Sequence, residues 1–252
     1  VGFIVMGITH TIESNQWLTK IKGQMIKLRQ NTNYGALQAV TGVADRGTTK
    51  GGTSGGGQVY ATLPADLDLP YFIDQAKSLT YPAWTPSATQ KNLIDNEYQP
   101  AFNNSSVASL GKAIRAIMVG AAIMEGWCDK TTLPYTTNNP GDVGTCTDCI
   151  PKKITKFPTL EKGIEAQYNK VLAYAFGKSG AQWIKDFYRP DTSLIEYCYH
   201  IGPPYVDTPS GGYQKSTNDP LDYAKFLVRV CRYYGFSNVT AQTTLQELKN
   251  MG

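Results

Sequence analysis

Residues 110–127, LGKAIRAIMVGAAIMEGW, decide the fold of the second half of the chain. The charged residues before Glu125 in this stretch are Lys112 and Arg115, both in its first turns. A helix that is apolar on nearly all sides lies inside a domain rather than on its surface. Glu is rarely buried without a partner or a task. Glu125 is therefore either a helix end emerging into water or an acid at the floor of a cleft.

Residues 106–252 are predicted to form a mainly helical module. After the Glu125 helix comes a loop rich in Pro, Gly, Asn and Thr, residues 128–156. Apolar spacing and capping signals then predict four more helices. Their start or cap residues are Thr159, either Thr192 or Ser193, Pro220, and Thr244 with Glu247.

Two different regions precede this module. Residues 1–29 contain two β-rich runs separated by four polar residues, Glu13 to Gln16, and the alternation in the second run predicts a hairpin. Such a hairpin needs a sheet to dock on, which we expect another chain or a preceding segment to supply. Residues 30–105 contain a Gly-rich connector, followed by short apolar runs that prolines interrupt. This pattern predicts a flexible linker and an extended arm with one short helix near 71–79. The predicted class is α+β, mainly α.

Composition argues against several functions. The chain has 252 residues, 41% of them apolar, and its apolar runs fall short of the roughly 18–20 residues of a membrane span. The net charge of +4 is mild and the basic residues are scattered, which argues against nucleic-acid binding but is compatible with attraction to an anionic cell wall. The first residues lack the basic region of a signal peptide, so we expect either a fragment or a mature piece of a longer chain.

The five cysteines include one C-x-x-C pair, Cys146 and Cys149. Structural zinc needs four ligands, and the two histidines, His10 and His200, are distant in sequence. We therefore expect no metal and no cofactor. A disulfide within the loop and inert thiols both remain open for this pair.

Five segments in order resemble the phage and bacterial lysozyme-like peptidoglycan hydrolases. They are AIMEGW (122–127), NNPGD (138–142), FPTLEKGIEA (157–166), IGPP (201–204) and DYAKF (222–226). The sequence departs from the family pattern at two positions, with Asp142 in place of Asn and Ile201 in place of Tyr. The resemblance implies a lysozyme-like domain that cleaves the β-1,4 glycan backbone of murein.

The resemblance also implies roles for individual residues. Glu125 would be the general acid, because glycoside cleavage needs a carboxylic acid that stays protonated near neutral pH, and partial burial favours that form. Gly126 would let substrate approach. Glycosidases usually pair two carboxylates, and the loop offers Asp129, Asp142 and Asp148, with Asp142 and Asp148 the leading candidates for the second acid. Lysozyme-like transglycosylases are expected to use one Glu with the N-acetyl group of the substrate.

The candidate substrate-binding residues each have a structural alternative. Asn138, Asn139 and Gly141 form either a wall of the sugar cleft or an ordinary Asn-Asn-Pro-Gly turn. Trp127 either stacks on a sugar or lies in the core, and the core is favoured. Tyr223 is likewise expected to contribute more by packing than by catalysis.

The first hairpin resembles the closing strands of phage tail-hub domains, through His10, Ile12, Trp17 and Thr19. Together the two resemblances imply a virion-associated hydrolase at a tail tip or baseplate, acting on the host cell wall. Its partners would be peptidoglycan, other tail proteins and further copies of itself around a hub. The alternative is a non-catalytic structural tail protein whose lysozyme-like domain binds peptidoglycan. A zinc-dependent amidase or peptidase is disfavoured by the two distant histidines.

Overall fold

The computed structural model describes residues 2–13, 16–26, 59–146, 153–170, 172–177, 187–208 and 210–252. The chain divides into two compact units, Val1–Ser54 and Gly55–Gly252. Helices dominate the second unit, with small antiparallel sheets beside them. The α+β, mainly α class predicted from the sequence is therefore confirmed at this level.

The first unit contains the predicted hairpin. Strands β1 (Gly2–Glu13) and β2 (Gln16–Ile26) pair antiparallel in a two-stranded sheet, with an irregularity in register between Val5 and Gly7. At the turn the strands extend further than the sequence indicated. Glu13 and Gln16 pair with each other, and only two residues remain between them. The predicted connector falls largely on residues 27–58, outside the described residues.

The predicted extended arm is wrong for residues 59–105, which belong to the compact second unit. After the short strand β3 (Val59–Tyr60) and a 3-10 turn (Ala65–Leu67), this segment forms α1 (Leu69–Ala76), α2 (Ala88–Leu93), a π-helical turn (Ile94–Tyr98) and α3 (Gln99–Asn104). The helix predicted near 71–79 corresponds to α1.

The prolines of this segment do not end its helices. Pro70 lies in the first turn of α1, where the missing N–H would have no helical partner anyway. Pro100 lies in a continuous helical run, because α2, the π-helical turn and α3 follow one another without a gap and the junction residues Leu93 and Tyr98 are helical. The connector between α1 and α2 is tied to the core, because the Arg229 side chain donates to the Pro82 carbonyl (2.9 Å) and the Trp84 ring packs on Phe226.

The remaining helices include all those predicted from residue 110 onward and one short helix, Leu133–Thr136, that lies within the predicted loop. They are α4 (Lys112–Met124), α5 (Leu133–Thr136), α6 (Leu160–Lys170), α7 (Leu172–Ala175), α8 (Leu194–Ile201), α9 (Pro220–Tyr233) and α10 (Leu245–Asn250). Ser193 and Thr244 cap α8 and α10 through complete capping boxes, and Pro220 occupies the first turn of α9.

Two small sheets were not predicted. Strands β4 (Gly144–Cys146) and β5 (Lys153–Ile154) pair within the loop that follows Glu125, and β6 (Tyr205–Asp207) and β7 (Tyr213–Lys215) join β3 in the order β3-β7-β6. These strands have at most three residues, too few for a period-2 pattern to stand out.

Helix α4 lies at the centre of the core. Nine of its thirteen residues are buried, and it packs against α9 and α10. At Gly120 a Cβ would lie 2.7 Å from the Leu227 side chain, so the glycine lets α4 and α9 approach closely. In the described part of the chain, no helix has both the length and the apolar character needed to cross a bilayer.

Candidate functional site

Glu125 lies at the C-terminal end of the central helix. It is partly buried, and its backbone (φ −75°, ψ 0°) is the last of the helical conformation. Gly126 follows with φ +83°, its N–H donating to the Ile123 carbonyl and that of Trp127 donating to the Ala122 carbonyl. These two bonds form a Schellman motif, which favours glycine at the left-handed position. Gly126 therefore has a structural role that the sequence interpretation, substrate approach, did not include.

Glu125 lines a cavity of about 480 Å³. The cavity is assembled from the end of α4, the turn before β4, the ends of α6 and α8, and the start of α9 with the segment before it. Its lining residues are Met124, Glu125, Asp142, Lys170, Ile201, Gly202, Thr217, Asn218, Asp219, Asp222 and Tyr223. The volume lies in the range of about 300–1,000 Å³ typical of ligand sites.

Asp142 reaches the cavity from the loop. Its backbone has φ +44°, and its N–H donates to the Asn139 carbonyl (3.1 Å). The Lys170 ammonium donates to the Asp142 carbonyl (3.4 Å), which joins this turn to the end of α6. An Asp tolerates the left-handed region better than most residues, so the turn can present its carboxylate at this position.

The Asn-Asn-Pro-Gly turn is structural rather than a cavity wall. Asn139 is fully buried, and its side chain donates to the Val143 and Thr155 carbonyls and accepts from the Val143 N–H. The Asn138 side chain donates to the Phe157 carbonyl. The Asn139 amide is enclosed within the loop, so its assignment to substrate binding is wrong. Asn138 is half-buried and does not line the Glu125 cavity, and its assignment stays a prediction.

Gly141 also serves packing. A Cβ at Gly141 would lie 2.7 Å from the Gln167 side chain, and one at Gly163 would overlap the Asn138 carbonyl. The turn therefore packs directly on α6 at two glycines. Gly141 does not line the Glu125 cavity, and its assignment to substrate binding stays a prediction.

Trp127 belongs to the core. Its side chain is 1% exposed and packs against the rings of Tyr98 and Tyr135, at centroid distances of 5.5 and 5.7 Å. A ring enclosed in this way cannot stack on a sugar. The core interpretation is confirmed, and its assignment as a substrate-binding residue is wrong.

Tyr223 lines the cavity and is itself 8% exposed. Burial raises the pKa of Tyr223 well above its ordinary value, and the neighbouring Tyr197 phenol and Glu125 carboxylate raise it further. The phenol therefore stays protonated and can donate a hydrogen bond to the Glu125 carboxylate.

Two cavity acids were missed from the sequence. Asp219 caps α9, its side chain accepting from the Leu221 N–H (2.8 Å), and Asp222 is in the first turn of the same helix. Acids are common at both positions for helix stability alone, so the sequence offered no reason to single them out. Their proximity to Tyr223 in DPLDYAKF was the available signal.

The other carboxylate candidates lie elsewhere. Asp129 accepts from the Thr131 backbone and hydroxyl, which lowers its pKa, and it is not among the residues that line the cavity. Asp148 falls outside the described residues, as does Cys149 of the C-x-x-C pair. Cys128, Cys198 and Cys231 are free thiols, and burial raises the pKa of each.

The cavity is rich in acids but does not resemble a metal centre. Across the described ranges, no group of three or more His, Cys, Asp or Glu residues is placed to hold a metal ion. The cavity contributes four carboxylates, those of Glu125, Asp142, Asp219 and Asp222, and one ammonium, that of Lys170. Such an arrangement suits proton transfer and hydrogen bonding to a polar ligand.

Comparison with known proteins identifies no relative: no protein-family model, no curated protein and no solved structure matches this chain.

Proposed function

We propose that the second unit is a lysozyme-like peptidoglycan hydrolase in which Glu125 is the general acid. The observation that carries this proposal is the composition of the cavity. Four segments that resemble the hydrolase family, separated by up to about a hundred residues, contribute to it through Glu125, Asp142, Ile201 and Tyr223. The remaining segment, at Gly163, supports the Asp142 turn by close packing.

The chemistry follows from this arrangement. Glu125 donates a proton to the glycosidic oxygen as the bond from that oxygen to the anomeric carbon breaks. The developing positive charge on the sugar is stabilised by a second carboxylate or captured by the N-acetyl group of the substrate itself. Asp142, Asp219 and Asp222 are the described carboxylates that share the cavity with Glu125. Water completes hydrolysis, whereas internal capture by a sugar hydroxyl gives the transglycosylase product.

A second candidate is a structural protein that binds peptidoglycan without cleaving it. Both departures from the family pattern, Asp142 and Ile201, line the cavity itself. In a hydrolase of this kind the cavity surface would contact the sugar. Departures from the family pattern at that surface favour a protein that binds peptidoglycan without cleaving it.

The hairpin supports a location at a phage tail tip or baseplate. An isolated two-stranded hairpin is marginally stable in water and exposes unpaired edges. Strands β1 and β2 form such a sheet within the described residues. Completion of a hub sheet by this hairpin would place several copies of the chain around an axis, next to other tail proteins and within reach of the host cell wall.

The test compares wild-type protein with Glu125→Gln on purified murein, scored by loss of turbidity. Glu161→Gln is the matched control, because this residue is also a Glu at a helix end but lies outside the cavity lining. We expect Glu125→Gln to abolish clearing and Glu161→Gln to retain it, with both variants folded by circular dichroism.

Co-sedimentation with murein separates the two candidates. The hydrolase requires that Glu125→Gln binds murein but does not clear it. Murein binding by a wild type that clears nothing would favour the structural protein.

A further inference from the structure

A second cavity of about 290 Å³ adjoins the Glu125 cavity. The two cavities share three consecutive lining residues, Thr217, Asn218 and Asp219. They therefore lie on either side of one short segment, which we call the ridge. A ligand that fills the Glu125 cavity would therefore have the second cavity beside it.

The ridge is held in place by hydrogen bonds at both ends. At its start, the Ser216 N–H donates to the Pro204 carbonyl (2.9 Å) and the Ser216 hydroxyl donates to the Pro203 carbonyl (2.8 Å). At its end, Asp219 caps α9. Fixed backbone between two cavities keeps their spacing constant, which a site for a repeating polymer requires.

The lining of the second cavity combines an aromatic ring with polar groups. Tyr71 is 41% exposed, and its ring meets that of Phe72 edge-on at a centroid distance of 5.4 Å. Asp66 and Lys215 also line this cavity. An exposed ring offers an apolar face for the C–H face of a pyranose, while the carboxylate and ammonium can bond its hydroxyl groups.

We infer that this second cavity is a sugar subsite of the same cleft, with Tyr71 as its stacking platform. The inference rests on the proposed function, since the occupant is the glycan strand that continues from the Glu125 cavity. Tyr71 belongs to the segment before residue 106, so the cleft extends beyond the five segments that carry the family resemblance. The substrate is accordingly a glycan chain of several sugars rather than a disaccharide.

The test measures binding of an N-acetylglucosamine hexasaccharide by calorimetry, using the full chain with Glu125→Gln to prevent cleavage. Added to this background, Tyr71→Ala should weaken binding about tenfold, because the packing area of one ring is lost. Tyr71→Phe keeps the ring and should stay within about twofold of the background protein.

Tyr233→Ala is the matched control. Tyr233 is 40% exposed, close to the value for Tyr71, and also meets a neighbouring ring edge-on, but it lines neither cavity. Its replacement should leave hexasaccharide binding unchanged.

The outcomes separate the inference from the proposed function. Unchanged binding by Tyr71→Ala, or an equal loss in Tyr233→Ala, would overturn the subsite while leaving Glu125 as the acid. Absence of hexasaccharide binding by the background protein itself would overturn both.

Discussion

A buried side chain, Gln167, joins three elements behind the site and gives a sharp test of the packing. Its Oε1 accepts from the Tyr98 hydroxyl and its Nε2 donates to the Met118 carbonyl, both at 2.8 Å. Tyr98 is fully buried and Met118 belongs to α4, which ends at Glu125. Replacing Gln167 with Leu preserves most of the volume but removes both bonds.

The expected loss in the free energy of unfolding is about 1.5–4.5 kcal/mol. Leaving the Tyr98 hydroxyl buried without an acceptor costs about 1–3 kcal/mol, and the lost bond to Met118 adds about 0.5–1.5 kcal/mol. Urea unfolding followed by circular dichroism measures the change, with the slope on denaturant as a check on the unfolding reaction.

A double mutant tests the physical reason. Tyr98→Phe removes the donor that Gln167→Leu orphans, so the double variant should lose clearly less than the sum of the two single losses. Additive losses, or a Gln167→Leu variant within about 0.5 kcal/mol of wild type, would refute the argument from an unsatisfied hydroxyl.

Three further predictions concern the helix end, pH and assembly. Gly126→Ala should lower the free energy of unfolding by about 1–2 kcal/mol in the same urea assay, because alanine is strained at the φ of +83° found there. A steric clash would not contribute, since the atom nearest to an added Cβ is 3.6 Å away. An unchanged free energy of unfolding would contradict the Schellman assignment. Burial lowers the pKa of His200 below 6.5, so the unfolded chain binds more protons and the melting temperature should fall as pH drops below about 6.5. His200→Gln should reduce this fall in melting temperature. If the melting temperature of the variant depended on pH as that of the wild type does, His200 would not be its cause. A truncation beginning at Gln30 should remain folded by circular dichroism and monomeric by light scattering but fail to join the particle, and incorporation of the truncated protein would refute the hub assignment.

Local signals predicted the helices well because their determinants are local. Ser193, Thr244 and Pro220 act through the backbone of the same turn, so the sequence alone locates α8, α10 and α9. The same locality explains the error at Pro70, since a proline that breaks a helix and one that starts it differ only in position relative to the first turn.

The site was predictable only in part. The order of motifs singled out Glu125 and Asp142, which share the cavity, but it could not separate lining residues from supporting ones. Asn139 and Trp127 belong to the supports, because their partners come from residues that are distant in sequence or across a turn. Asp222 was missed since an acid in the first turn of a helix needs no functional explanation.

The central claim, that this cavity cuts glycan bonds, is tested most directly by the products of murein digestion. Mass spectrometry of the soluble fragments should show short glycan pieces that keep their peptide stems, released by wild type and by Glu161→Gln but not by Glu125→Gln. Free peptides with intact glycan strands, or the same glycan fragments from Glu125→Gln, would contradict the account.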